Sequence, residues 1–438
     1  MSSEPFPARS TSIAALRTLI ASEQTASWAG QGLVSAMNFV VLIVLARYAG
    51  ATEVGYYAVA FSVLIIAMVM QDSLVTRPYA IQMFNPPCGP EAHAYGALVF
   101  SLTLSIAMGL SLAMMGALMQ LQKFDARLAN LFLVLAIVTP LAMSRDFARR
   151  FSFANLRMRQ ALALDAAAST ILLLLLGILV WHRLLDASTA LIALGVAGVT
   201  SALGWFWFSS GYFMRSPGAT RQTAGRSWSF GKWLLAGQIA LHVQGYAAHW
   251  ITLLMVGAAA TGLYTACLSI VALANPFVYG LLNMLTPKFV RALKDKGEAG
   301  LRRVAKHDAL LIGAIMGGLF LLLLASGNVL MAALFPGEDF EGGGSILSIL
   351  ALSAAVSALG APATIALSAV ERGRVIAGLS IGVCVLGSLA VWLLLMRWGL
   401  MGAAIGILVT ELVGAAARWG LFLYRPIGHV QKAFRTID

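Results

Sequence analysis

Charge is scarce in this chain. Of its 438 residues, 11% are Asp, Glu, Lys or Arg and 60% are hydrophobic, and the mean hydropathy is +0.84. Water-soluble domains carry about a quarter charged residues, so this balance excludes an ordinary globular fold. Acids are the rarer sign, 18 against 30 Lys and Arg, which leaves a formal net charge of +12. Cysteine is nearly absent. Cys88 falls in a predicted turn, and Cys267 and Cys384 fall inside predicted helices, so no disulfide is expected. Residues 1–23 lack the continuous apolar core of a cleavable signal, and Glu23 closes them. Ile13, Leu16 and Ile20 instead share one face beside Arg17, which predicts a short interfacial helix ahead of the first span. No grouping of residues calls for a metal or an organic cofactor.

Long apolar runs are what the chain has in abundance. Twelve are legible, at 24–46, 54–76, 94–119, 128–146, 161–181, 187–213, 229–256, 261–285, 308–335, 343–369, 375–396 and 399–423. Each is long enough to cross about 30 Å of hydrocarbon. In lipid every backbone polar group needs an internal partner, so these runs are helices unless they close a barrel. Barrel strands alternate apolar and polar residues, and the run Ile171 to Leu176 does not. The expected fold class is an all-α polytopic membrane protein of about twelve transmembrane helices.

The positive charge is sorted by turn. On the twelve-helix reading, 25 of the 30 Lys and Arg fall in the even-numbered turns and the two termini. The odd-numbered turns hold Arg47, Lys123, Arg127, Arg183 and Arg397 together with the acids Glu53, Asp125, Asp186, Glu338, Asp339 and Glu341. The bias predicts that both termini are cytoplasmic, and it explains the net charge without nucleic acid as a partner.

Shifted by 207 residues, part of the chain lies on itself. Ala29, Gly30 and Gln31 fall on Ala236, Gly237 and Gln238, and Gly50 and Ala51 fall on Gly257 and Ala258. Gly55, Tyr57, Ser62 and Ala67 fall on Gly262, Tyr264, Ser269 and Ala274, making nine identities over 41 ungapped positions. The chain therefore reads as two six-helix lobes, 24–214 and 229–424. Between them lies a polar cytoplasmic linker at 215–228, rich in Gly, Pro and Ser, and a tail follows at 425–438. Six helices per lobe give both halves one orientation, a parallel repeat of the kind found in carriers that alternate their access.

The first helix of each lobe carries a polar stripe. Gln24, Ser27, Gln31, Ser35 and Asn38 are spaced along one face, and Gln238, His242, Gly245 and His249 repeat the pattern in the second lobe. Two such faces in lipid are expected to line a wet cavity, although Gln, Ser and Asn also join helices by hydrogen bonds alone. Among intramembrane carboxylates, Asp72, Asp165 and Glu411 are candidates for ion coupling, each with a structural alternative. Asp72 is near Arg77, Glu411 is two turns from Arg418, and Asp165 opens a span where the helix dipole favours an acid. Asp146 is expected to pair with its arginine neighbours. Pro140, Pro287 and Pro362 permit bends, and Asn275-Pro276 is the candidate hinge. Gly313/Gly317, Gly378/Gly382 and Gly402/Gly406 are spaced for close helix approach.

Three stretches carry a family resemblance: Leu45 to Tyr57 (LARYAGATEVGYY), Arg145 to Asn155 (RDFARRFSFAN) with Ala161 to Asp165 (ALALD), and Gly262-Leu263-Tyr264. The chain resembles the oligosaccharide flippases of the polysaccharide-transporter branch of the MOP (multidrug/oligosaccharidyl-lipid/polysaccharide) exporter superfamily. The resemblance implies two lobes alternating between inward-open and outward-open V shapes. The implied cargo is an undecaprenyl-pyrophosphate-linked oligosaccharide, the repeat unit of an O-antigen or exopolysaccharide. It would cross from the inner to the outer leaflet of a bacterial inner membrane during surface polysaccharide biosynthesis. Membrane lipids and, further on, a polymerase and other assembly proteins are the partners it suggests. Arg77, Arg145, Arg149 and Arg150 are placed to meet a pyrophosphate from the cytoplasm, and Arg47 to meet substrate in the outward-open state. No P-loop occurs, so the drive would be an ion gradient, the polyprenyl gradient or downstream consumption. Two rivals remain. One is a drug/cation antiporter of the same superfamily, which would need intramembrane acids. The other is a polysaccharide polymerase or ligase, disfavoured by the short external turns; the longest connection, about Lys288 to His307, is on the cytoplasmic side. The chain is not expected to be an enzyme.

Overall fold

The computed structural model describes residues 13–86, 88–370 and 373–424, and among them every regular element is helical. The first half forms α1 Ile13–Ala49, α2 Ala51–Gln82, α3 Pro90–Leu121, α4 Ala126–Ala154, α5 Met158–Trp181 and α6 Ala187–Ser209. The second half forms α7 Pro217–Met255, α8 Ala258–Ala272, α9 275–296, α10 298–334, α11 Gly343–Ala369, α12 373–397 and α13 400–424. Leu273 and Ala274 keep right-handed helical angles between α8 and α9, so these two form one bent helix, and nine helices among the described residues are long and apolar enough to cross a membrane. The chain is a multi-pass membrane protein.

Local chemistry sets the ends. Asp125 accepts hydrogen bonds from the amides of Arg127 and Leu128 at the start of α4, and Asp186 forms a capping box with Thr189 at the start of α6. Inside α2, Asp72–Thr76 is a π-helical turn, a form that often marks functional positions. Gly297 (φ 63°) and Gly399 (φ 58°) each reverse the chain within a residue or two, conformations that side chains resist. Both make tight antiparallel hairpins. Lys288 reaches Asp308 across the first, and Gly402 and Gly406 pack on the backbone of Leu394 and Val391 across the second.

Helix α1 runs unbroken from Ile13 into the first span, and residues 1–12 and the tail 425–438 lie outside the described residues. Three expectations need correction. The stretch expected as a polar linker is helical from Pro217, because the proline suits a helix start and Thr223 and Ala219 pack against Gly96. The expected connection from Lys288 to His307 is helix with one glycine turn, since good helix formers carry the spans beyond the apolar runs. Of the spaced glycine pairs, Gly402/Gly406 makes a close approach, whereas a Cβ at Gly317, Gly378 or Gly382 would meet nothing within 4 Å.

The core shows how the lobes sit. At the end bearing the Gly50 and Gly257 turns, one buried apolar core runs through both lobes, with Leu45, Val54 and Leu64 packed into the same body as Tyr264, Leu347 and Val391. At the arginine-rich end it divides. Leu74, Tyr79, Phe147 and Phe151 form one core in the first lobe, and Phe289, Leu301, Ile312 and Phe422 form another in the second. One core at one end and two at the other make a V whose cleft opens at the basic end. Helix α7 leans across it. Its Gly231 sits on the backbone of Ser73 and Leu74, while Leu241 and Gln244 face a cavity of the second lobe.

Candidate functional site

At the closed end of the V, α1 and α7 both contribute to a small, mainly apolar pocket of about 80 Å³. Asn38, Tyr57, Phe61, Tyr246, His249 and Thr265 line it. His249 is buried, its Nδ1 has no hydrogen-bond partner, and the ring of Tyr264 meets it edge-on at 4.9 Å. The structure thus brings together one residue from each predicted stripe, Asn38 and His249. The others lie further along the same helices: Gln31 is exposed, and Ser35, Gln238 and His242 are half-buried. His242 Nδ1 is 2.9 Å from the carbonyl of Gln238, a bond within its own helix.

Nearer the open end, the first lobe holds two ion networks. Asp165 is fully buried and bonds Arg145 at 2.7 Å and Arg149 at 2.8 Å. Helix α5 starts at Met158, so Asp165 stands about two turns inside it and is held by arginines, not by the helix end as expected. Arg145 Nε and Arg149 Nη2 have no partner. A Cβ at Gly30 would lie 3.4 Å from Asp165 Oδ2, which places α1 against this group. In the second network Asp72 bonds Arg77 at 2.5 Å and Arg150 at 2.7 Å, and Arg150 also holds Asp146 at 2.6 Å. The π turn of α2 places Asp72 and lets Thr76 Oγ1 donate to it at 2.9 Å.

The closed end is sealed by contacts between lobes. Arg47 donates to the carbonyl of Ala333 at the end of α10 (2.8 Å), and Phe39 meets Phe335 edge-on. Gly55 lies on the carbonyl of Ala258, and Gly262 on that of Ala51. Because Gly55 and Ala51 are the 207-residue partners of Gly262 and Ala258, these two contacts are the same contact made twice. The indole of Trp250 also donates to Ser62 Oγ at 3.0 Å.

The second lobe forms a separate, partly open cavity of about 570 Å³ between α7, α8, α11, α12 and α13. Glu411 and Arg418 face it and stand 3.7 Å apart. The candidate hinge coincides with the bend between α8 and α9, where Asn275 and Pro276 begin the new helix. No group of three His, Cys, Asp or Glu suited to a metal occurs among the described residues.

Sequence reasoning missed the docking of α7. Buried His93 of α3 lies 3.0 Å from Thr223 Oγ1 and stacks on Tyr79. The signal was present as the Thr223, Ser227 and Gly231 face, at four-residue spacing inside the supposed linker.

No protein-family model matches the chain, and no curated protein matches it by sequence. Solved structures do match. An inward-facing multidrug resistance MATE family transporter of the MOP superfamily superposes with a TM-score of 0.74 at 14% identity, over 90% of this chain and 95% of that one. An outward-facing MATE transporter of the same superfamily gives 0.64 at 15% identity, over 94% and 96%. The fold is that of the MOP transporters. A MOP superfamily transporter from Pyrococcus furiosus, described as having a binding pocket of reversed polarity, also gives 0.64 at 14% identity over 94% and 96%. The higher score against the inward-facing MOP structure agrees with the shared core at one end of this chain and the divided core at the other.

Proposed function

We propose that this MOP-fold protein exports an anionic, lipid-pyrophosphate-linked oligosaccharide across a bacterial inner membrane, with its basic end and both termini in the cytoplasm. The observation that carries this reading is the pairing of the buried carboxylates in the first lobe. Asp165 and Asp72 are each held by two arginines, and the four arginines Arg77, Arg145, Arg149 and Arg150 outnumber Asp72, Asp146 and Asp165. A cationic drug needs an unpaired carboxylate, and these acids have none to offer. A pyrophosphate needs arginine donors, and Arg145 and Arg149 each keep one buried nitrogen without a hydrogen-bond partner. In the inward-open form the headgroup enters among these arginines. Closure at the basic end and opening of the Gly55–Gly262 seam then release it on the far side.

A drug/cation antiporter is the second reading. It is favoured by the multidrug transporters of the same fold and by Glu411, which has one arginine at 3.7 Å and an Oε2 without a hydrogen bond. Deleting the gene in the native host separates the two. Loss of surface polymer with undecaprenyl-pyrophosphate oligosaccharide retained on the inner leaflet is the expected result. Normal polymer with raised sensitivity to cationic drugs moves the protein to the antiporters.

A further inference from the structure

The large cavity of the second lobe is separate from the arginine networks, and its polar groups come from four helices. Gln244 is on α7, Ser357 on α11, Ser380 and Ser388 on α12, and Glu411 and Arg418 on α13. Gln244 and the three serines have no hydrogen-bond partner among the described residues, and Glu411 Oε2 is buried without one. At about 570 Å³ the volume falls in the range of pockets that hold whole organic ligands, roughly 300–1,000 Å³. Ser380 and Ser388 are eight residues apart on one helix, and Glu411 and Arg418 seven apart on the next, so the donors are spread over about 10 Å. The oxygen ligands of a hard cation instead converge to within about 2.6 Å of one point. The arginine beside Glu411 also repels a cation. Scattered hydroxyls, an amide and a carboxylate with free lone pairs match a ligand that presents many O–H groups, each able to donate and accept.

We infer that this cavity is the saccharide subsite: it receives the sugars distal to the pyrophosphate, while the first lobe holds the phosphates. The inference rests on the export reading above and names where its substrate's glycan goes. The cavity then selects for repeat-unit length and composition, and the arginines serve any lipid pyrophosphate.

The test compares two substrates in the native host, its complete lipid-linked repeat unit and the monosaccharide-pyrophosphate lipid left when the later glycosyltransferases are deleted. Ser388→Leu fills the cavity, and Ser388→Ala removes the hydroxyl without adding bulk. Glu411→Gln removes the charge at constant shape. The expected result is at least a tenfold loss of outer-leaflet full-length repeat unit for Ser388→Leu and Glu411→Gln, a smaller loss for Ser388→Ala, and unchanged appearance of the monosaccharide lipid. Equal loss of both substrates, or loss of neither, overturns the assignment. Purified protein supplies a second readout. A thermal stabilisation by sodium chloride over choline chloride that Glu411→Gln abolishes makes the cavity an ion site and also overturns it. Failure of the export reading looks different: the gene deletion itself leaves surface polymer and leaflet distribution normal.

Discussion

Replacing Gly262 by alanine tests the alternating-access geometry at its narrowest contact. The new Cβ would stand 1.9 Å from the carbonyl oxygen of Ala51, and the mirror change at Gly55 would stand 2.0 Å from that of Ala258. Neither neighbour is a flexible side chain, so α2 and α8 must part by about 1 Å, an overpacking that costs about 1–3 kcal/mol. Only the form closed at this end bears the cost, because the two helices separate when the seam opens. Converted to an equilibrium, that favours the form open at this end by roughly 5–150-fold. The two sites share one contact, so the double substitution is less than additive. The assay uses Thr265→Cys in the pocket behind the seam, with Cys88, Cys267 and Cys384 replaced. A membrane-impermeant maleimide is added from the Gly50/Gly257 face. Labelling at least fivefold faster in Gly262→Ala, with reduced transport, is the expected outcome. Unchanged labelling and flux in a folded variant would refute the claim that this seam is a gate.

Other substitutions probe the same framework. Arg47→Ala removes the bond to Ala333 across the seam, worth about 1 kcal/mol, and increases the same labelling by a smaller factor than Gly262→Ala. Asp165→Asn leaves the half-buried Arg145 and Arg149 without their counter-charge, and thermal unfolding in detergent should show a loss of about 1–3 kcal/mol. Arg145→Lys with Arg149→Lys keeps the charge but removes the fork; lipid-linked oligosaccharide export in the host falls while monodispersity on gel filtration is kept. Unchanged export there would make these arginines structural anchors. His249→Leu fills the pocket at the closed end and abolishes flux at equal membrane expression, and normal flux would remove that pocket from the transport path.

The spans and the repeat were legible because lipid enforces an unbroken apolar run, and because Gly55, Tyr57, Gly262 and Tyr264 are under packing demands that admit few substitutes. The helix boundaries were not. Lys288 to His307 and Arg215 to Trp228 look like loops when apolar length is the only guide, yet good helix formers and an N-terminal proline carry both through as helix. The stripe on α1 and α7 was visible, but periodicity shows only a face. It took tertiary structure to reveal that Asn38 and His249 line one pocket, while Gln31 and Gln238 lie farther along their helices. Asp165 shows the same limit: its place near the start of an apolar run suggested a helix terminus, and the helix begins seven residues earlier. The cavity behind Glu411 had no sequence signature, since its serines are spread over two helices among many other small residues.

The reciprocal contact of Gly55 with Ala258 and Gly262 with Ala51 has the self-complementary form of an interface between two copies of one chain. The protein carries a homodimer's seam inside one polypeptide. A half-length ancestor inserted in a single orientation would pair through the same glycines, and its two cavities would be obliged to match. Fusion removes that obligation. Helix α4 now contributes three arginines to the ion networks, while α11, its counterpart in the duplicated half, has no charged residue at all. The symmetry survives at the gate, where both halves must move alike, and is gone from the walls, where each can specialise for a different part of one molecule.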